Sequence, residues 1–153
     1  MVDQLVKIYL TEEGWHKNKM SEEEAHNYHK KMLERGNILT YLEDDEIVGY
    51  VEVWKINFEQ FGKLICQVPF SGLYEDVSSG YIAYVANTWI KESVRNTKVI
   101  KILRAKFFNF CHDCAFFVGE AERKKSGLVK VFRQPEFIRK YLIGACHGKR
   151  KIE

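Results

Sequence analysis

Proline is nearly absent from this chain, with two in 153 residues, and no apolar run approaches the ~20 residues that a membrane-spanning helix needs. The first shortage, beside an apolar content of 46%, excludes a proline-rich disordered segment and fits a globular protein. The second excludes a helical span. The amino-terminal stretch also lacks the order of a secretory signal, because Asp3 and Lys7 interrupt it, and the expected location is cytoplasmic. Cysteine is sparse: Cys66, Cys111, Cys114 and Cys146 include a single C-x-x-C, with Cys146-His147 as the remaining candidate ligands. One such pair without a second is weak grounds for zinc, and Cys111 and Cys114 are read as small buried apolar residues. Disulfides are not expected in a reducing cytoplasm.

Charge is abundant but unevenly divided. Residues 1–76 carry 8 Lys/Arg against 15 Asp/Glu, a net of −7, while residues 77–153 carry 16 against 6, a net of +10. The second half is the side that would attract a polyanion, either a phosphorylated cofactor or a nucleic acid. The plainer alternative is that the two halves neutralise each other across the fold.

Leu5, Val6, Ile8 and Tyr9 suggest a short helix or strand. Ser21-Glu22-Glu23-Glu24 forms a capping box, since Ser21 can accept from the N–H of Glu24 while Glu24 reaches back, and Gly36 is placed to end the helix it opens, over about 22–35. A hairpin follows, Ile38–Leu42, an acidic turn, and Ile47–Ile56. Its second strand alternates Val51 and Val53 with Glu52 and Trp54, which puts Glu52 on the more polar, outward face. Gly49 within it implies a bulge or a close backbone approach. From Asn57 to Gly80 no period is evident, and the stretch reads as an aromatic-rich functional loop.

The chain then runs strand, basic helix, strand: Tyr81–Thr88, about Val94–His112, and Ala115–Gly119. Val99, Leu103 and Phe107 fall on the apolar face of the helix, with Lys98, Lys101, Arg104 and Lys106 mostly opposite. A strand–helix–strand crossover leaves a helix N-terminus at the end of a sheet, where unpartnered N–H groups favour an anion. A turn at 123–127, a further strand over Leu128–Phe132 and a short helix over Phe137–Ile143 complete the reading, as one domain without internal repeats. His26 and His29 are three apart on the first confident helix, and nothing supplies an obvious third metal ligand.

Two stretches carry a family resemblance. Asp44-Asp45-Glu46-Ile47-Val48-Gly49-Tyr50-Val51 and Ile90-Lys91-Glu92-Ser93-Val94-Arg95, together with the order of elements over roughly residues 5–133, resemble the GNAT-type N-acetyltransferases. The resemblance implies a mixed, mostly antiparallel sheet flanked by helices, an α/β fold, and transfer of an acyl group from acetyl-CoA or another acyl-CoA to an amine. It implies a pyrophosphate site over Trp89, Ile90, Arg95, Asn96, Thr97, Lys98, Val99 and Ile100, with Lys98 and Ile100 standing where the family carries glycines and Glu92 where it carries proline. Glu52 is the nominated base, and Tyr84 an acid or substrate contact. The competing reading is a non-catalytic domain of this architecture that binds nucleic acid or a protein through its basic half; a third joins the two, as acyl transfer to a nucleic-acid base.

Overall fold

The computed structural model describes residues 1–11, 20–66, 68, 71–123 and 127–133. Helix α1 (Val2–Thr11) resolves the ambiguity of the first residues, and α2 (Glu22–Glu34) begins at Ser21 with both arms of the expected capping box formed. Gly36, at φ +75°, sits in the left-handed conformation that ends α2. Strands β1 (Ile38–Glu43) and β2 (Glu46–Ile56) form the hairpin, turning on Asp44 and Asp45 at φ +49° and +62°. These are the angles of a two-residue turn whose twist suits antiparallel strands, and aspartate tolerates them better than most residues.

The segment read as an irregular loop instead opens with a helix, α3 (Phe58–Ile65), under a second reciprocal cap in which Asn57 accepts from Gln60 and Gln60 from Asn57. Next come β3 (Ile82–Ile90), a single 3-10 turn at Glu92–Val94, α4 (Lys98–Phe110), β4 (Phe116–Arg123) and β5 (Gly127–Arg133). The basic helix thus starts at Lys98 and not near Val94, because Asn96 at φ +68° breaks the helical path and Thr97 serves as N-cap. The expected helix over Phe137–Ile143, the residues of the turn at 124–126, Cys146 and His147 lie outside the described residues.

The five strands lie in the order β1-β2-β3-β4-β5, antiparallel except for the parallel pair β3–β4. This is the mixed, mostly antiparallel sheet expected. β4 and β5 pair from Phe117↔Arg133 to Arg123↔Gly127. α1 and α2 cover one face through Leu5, Ile8 and Met32 against Tyr50, Ile56 and Ile82. α4 covers the other, with Val99 and Leu103 against Val48, and Phe107 and Cys111 against Val51, Val53 and Ala83. Gly49 is the expected close approach: a Cβ there would lie 2.9 Å from Leu103 Cδ1 and 3.2 Å from Val99 Cγ1. A bulge also adjoins it: Tyr41 pairs with Gly49 and Leu42 with Ile47, which leaves Val48 as an extra residue in β2, and a second irregularity falls at Glu52/Val53.

With both faces covered, β2 is buried along nearly its whole length. The expected wet face of that strand does not exist. No helix among the described residues is long and apolar enough to cross a membrane.

Candidate active site

Two irregularities in β3 shape the site. Opposite β2, Glu52 pairs with Asn87 and Val53 with Val85, so Ala86 is an extra residue left out of that ladder. On its other edge β3 pairs with β4 only from Ile82↔Phe116 to Val85↔Gly119. Beyond those pairs β3 continues along β2 to Ile90, while β4, already paired with β5 from Phe117, continues along β5 to Arg123. The sheet therefore splits between its two parallel strands, and Ala86 stands at the split with a ladder partner on neither side.

At this point the sheet borders a cavity of about 430 Å³, walled by α1 and α2, the loop at 71–72, β2 and β3. Glu52 and Tyr84, both nominated from sequence, line it together with Tyr9, Tyr28, His29 and Trp54. Glu52 is 3% exposed, which corrects its expected outward placement. Its Oε1 accepts from Trp54 Nε1 at 2.7 Å and from the Tyr28 hydroxyl across the gap to α2. Burial first, and then the Glu52 carboxylate, push the Tyr28 phenol far above its ordinary range, so it remains a donor. Tyr84 lies beside Trp54, with ring centroids 5.5 Å apart.

The surroundings fix these groups in place. Gly72 meets the Trp54 indole so closely that a Cβ would lie 2.9 Å from it, and Arg35 holds this wall by donating to the carbonyls of Gly72 at 2.5 Å and Glu75 at 3.0 Å. Buried Asn37 donates to Val53 O at 2.7 Å and Val77 O at 2.9 Å, and accepts from Ser78 Oγ at 2.9 Å. It ties the end of α2 to β2 and to the segment behind the wall. His29 is buried and donates through Nδ1 to Ala25 O at 2.7 Å, whereas His26 faces Asp3 at 3.4 Å, so the two histidines do not share a ligand.

The nominated anion-binding residues gather past the end of β3. Ile90 is the register partner of Gly49, against which Val99 packs, and so the first turn of α4 lies beside the last residue of β3. Trp89 is drawn inward by stacking on Tyr50, at 6.4 Å and 30°, while Arg95 Nε donates to Ile90 O at 3.2 Å. Thr97 Oγ1 accepts from Val99 N at 3.3 Å; with Lys98 and Ile100 exposed, their N–H groups are the ones this turn can offer to an anion. Thr97 thus belongs to the cap and not to the first turn. Tyr28, Trp54 and the extra residue Ala86 were not singled out from the sequence. A capping helix with Tyr28 one turn from Ala25 and Met32 was the available signal for the first.

No known family profile matches this sequence, and no curated protein matches it. Solved structures do match in shape. The GNAT-like decarboxylase GphF, in complex with isobutyryl-CoA, superposes with a TM-score of 0.54 at 16% identity over 94% of this chain and 67% of that one. The fold is that of the GNAT acetyltransferases. The loading GNAT-like domain of CurA from Lyngbya majuscula matches at 0.54 and 13% identity over 82% of this chain and 62% of that domain. Diaminobutyrate acetyltransferase EctA from Paenibacillus lautus, in complex with L-2,4-diaminobutyric acid and coenzyme A, matches at 0.52 and 11% over 94% and 68%. At such identities the likeness to these GNAT structures is one of fold.

Proposed function

We propose that the protein is an acyl-CoA-dependent N-acyltransferase whose amine acceptor enters the cavity beside Glu52. The observation that carries this reading is the buried carboxylate placed next to the point where β3 and β4 part. The β3–β4 ladder ends at Val85↔Gly119, so an extended amide-bearing arm would enter beside Ala86 and hydrogen-bond there as an added strand would. The first turn of α4 would take the pyrophosphate at the far end of that arm. Two of the matched structures hold coenzyme A or an acyl-CoA, in keeping with this assignment.

The reaction asks for orientation, one proton acceptor and one oxyanion donor. The acceptor ammonium gives a proton to Glu52, and the free amine attacks the thioester carbon. A C–N bond forms and the carbonyl oxygen gains charge, met by a backbone N–H at the bulge around Ala86. The C–S bond then breaks, and the leaving sulfur takes a proton from the Tyr84 hydroxyl; the nitrogen, now becoming the amide, loses its surplus proton, which returns through water to Tyr84, and Glu52 releases its own proton to solvent. Tyr28 and Trp54 hold the carboxylate in place and take no part in the bond changes.

Acyl transfer measured by thiol release from acetyl-CoA over a panel of amines tests this. Glu52→Gln should lower kcat by about 10²- to 10⁴-fold below the pKa of the amine, with acetyl-CoA affinity unchanged. Transfer at the parental rate by that variant would remove Glu52 as base. The polyanion reading has no comparable observation behind it. On the basic face of α4, Lys106 donates to Thr40 O at 2.6 Å and Arg104 lies 5.4 Å over the Phe108 ring, so two of its four cations are engaged within the protein.

A further inference from the structure

The C-x-x-C of the sequence stands at the end of α4, on the sheet face opposite α1 and α2. Cys111 closes the helix, its N–H donating to Phe107 O at 2.9 Å, and the turn that follows is closed by Cys114 N donating to Cys111 O at 2.9 Å. A hydrogen-bonded turn of four residues keeps its first and last Cα atoms within about 7 Å, and disulfides span about 4.4–6.8 Å. The backbone is thus set for a bond between the two cysteines. Both side chains turn inward to one apolar cluster with Val51, Val53 and Ala83, and the two thiols hydrogen-bond each other. His112 and Asp113, which join them, are exposed.

The surroundings tell the two sulfurs apart. Cys114 Sγ lies 3.9 Å from Asp113 Oδ1 and 4.0 Å from Gly80 O, and Asp113 accepts from Lys55 Nζ at 2.7 Å. Lys55 is 8% exposed, and its nitrogen sits 4.7 Å over the Phe110 ring, so a fixed cation stands beside the pair. The hydrogen bond from Cys111, and then the Lys55 charge, favour a thiolate at Cys114 against burial and the Asp113 carboxylate. The same hydrogen bond, and then burial, keep Cys111 protonated. One sulfur is therefore prepared to attack and its neighbour to close the bond.

We propose that Cys111 and Cys114 form a reversible dithiol–disulfide site that is oxidised by hydrogen peroxide. The residues are 0% and 1% exposed beneath their turn, so the oxidant must be small, a peroxide rather than a protein disulfide. The Cys114 thiolate attacks one peroxide oxygen and the O–O bond breaks, giving a sulfenic acid and a hydroxide that takes up the proton Cys114 had lost. The Cys111 sulfur then attacks Cys114 Sγ. An S–S bond forms, the S–O bond breaks, and the second hydroxide leaves as water with the Cys111 proton. Two thiols are oxidised and one peroxide is reduced to two waters. A transient bond of this kind is compatible with a reducing compartment. It stands apart from the transferase reading, since neither the site nor its test involves acyl-CoA.

The test is hydrogen peroxide added to the folded, intact chain, followed by unfolding, alkylation and tryptic peptide mapping. Cleavage after Lys106 and Arg123 gives the peptide 107–123, which holds Cys111 and Cys114 and neither Cys66 nor Cys146. It should appear unalkylated and lighter by about 2 Da, the mass of two hydrogens, and dithiothreitol given before alkylation should restore two alkylated thiols. A peptide that keeps both alkylatable thiols after the exposed Cys66 is fully oxidised would overturn the site, as would cross-links from Cys111 or Cys114 to Cys66 or Cys146 in place of the internal bond. Single variants then assign the roles. With a sulfenic-acid trap, Cys111→Ser should label at Cys114 about tenfold more than Cys114→Ser labels at Cys111. The reverse ratio would overturn the order of attack. Should either variant fail to fold, the peptide map of the parent still decides whether the bond forms.

Discussion

Tyr28 and Trp54 converge on one oxygen of Glu52, and a hydrogen bond to a buried charged group contributes more than one between neutral partners. Tyr28→Phe should therefore cost about 1.5–3 kcal/mol in urea unfolding, beyond what loss of a surface hydroxyl would do. A change within about 0.5 kcal/mol would show that the phenol does not anchor the carboxylate. On the opposite face, Lys55 donates to Asp113 at 2.7 Å and holds that carboxyl below its usual range. The folded value lies below the unfolded one, so this contribution is present above about pH 4 and is lost as pH falls through the folded value. Melting temperature compared across pH for the parent and Asp113→Asn should show a gap at neutral pH that closes in acid. The gap should be small, since the Asp113 side chain is 56% exposed and the pair is screened. A gap that widens in acid would contradict the assignment. Much at this scale was legible from residue type and spacing: the Ser21–Glu24 cap, the Asp44-Asp45 turn and the close approach at Gly49 are local or require only that a side chain be missing. The burial of Glu52 was not legible, because alternation along a strand presumes one wet face, and here α1 and α2 close over it.

At the scale of elements, the segment that leads into β3 is packed against the end of β2. Gly80 lies where a Cβ would come within 2.0–2.5 Å of the Ile56 backbone, a clash no rotamer relieves, and its N–H donates to Lys55 O at 3.1 Å. Gly80→Ala should destabilise at or above the top of the ~1–3 kcal/mol range for overpacking, read by urea denaturation; a neutral result would contradict this packing. The start of α4 permits a clean test of the anion site. Proline is compatible with the first helical position, and Thr97 is already extended at φ −100° and ψ −172°, as the residue before a proline must be. Lys98→Pro removes one N–H and the ammonium, and Lys98→Ala removes the ammonium alone. If the backbone holds the pyrophosphate, the proline variant should bind acetyl-CoA about tenfold more weakly than the alanine variant by calorimetry. Equal affinities would place the anion elsewhere. Helix α3 was missed in the sequence although Asn57 and Gln60 have the spacing of a cap, because Gly62 and the aromatics around it obscured the period. The order of strands and the basic crossover helix were legible, since each has its own period along the chain.

For the whole molecule, the split of the sheet is the feature on which the functional reading depends. It could not be read from sequence, because it arises where β3 and β4, distant along the chain, stop pairing after Val85 and Gly119, and no local pattern encodes that. The cavity has the same origin, gathering residues from α1, α2, β2, β3 and the 71–72 loop. A ligand that fills the split binds the folded state alone and must raise stability by mass action. The most direct measurement is the melting temperature of the intact chain with increasing acetyl-CoA, with adenosine and with ATP as controls for nucleotide and phosphate without the acyl arm. The account predicts a rise that saturates with acetyl-CoA, equivalent to about 2.7 kcal/mol at 100 times the dissociation constant, and a clearly smaller one with ATP. No shift with acetyl-CoA at any concentration, or an equal shift with ATP, would contradict it.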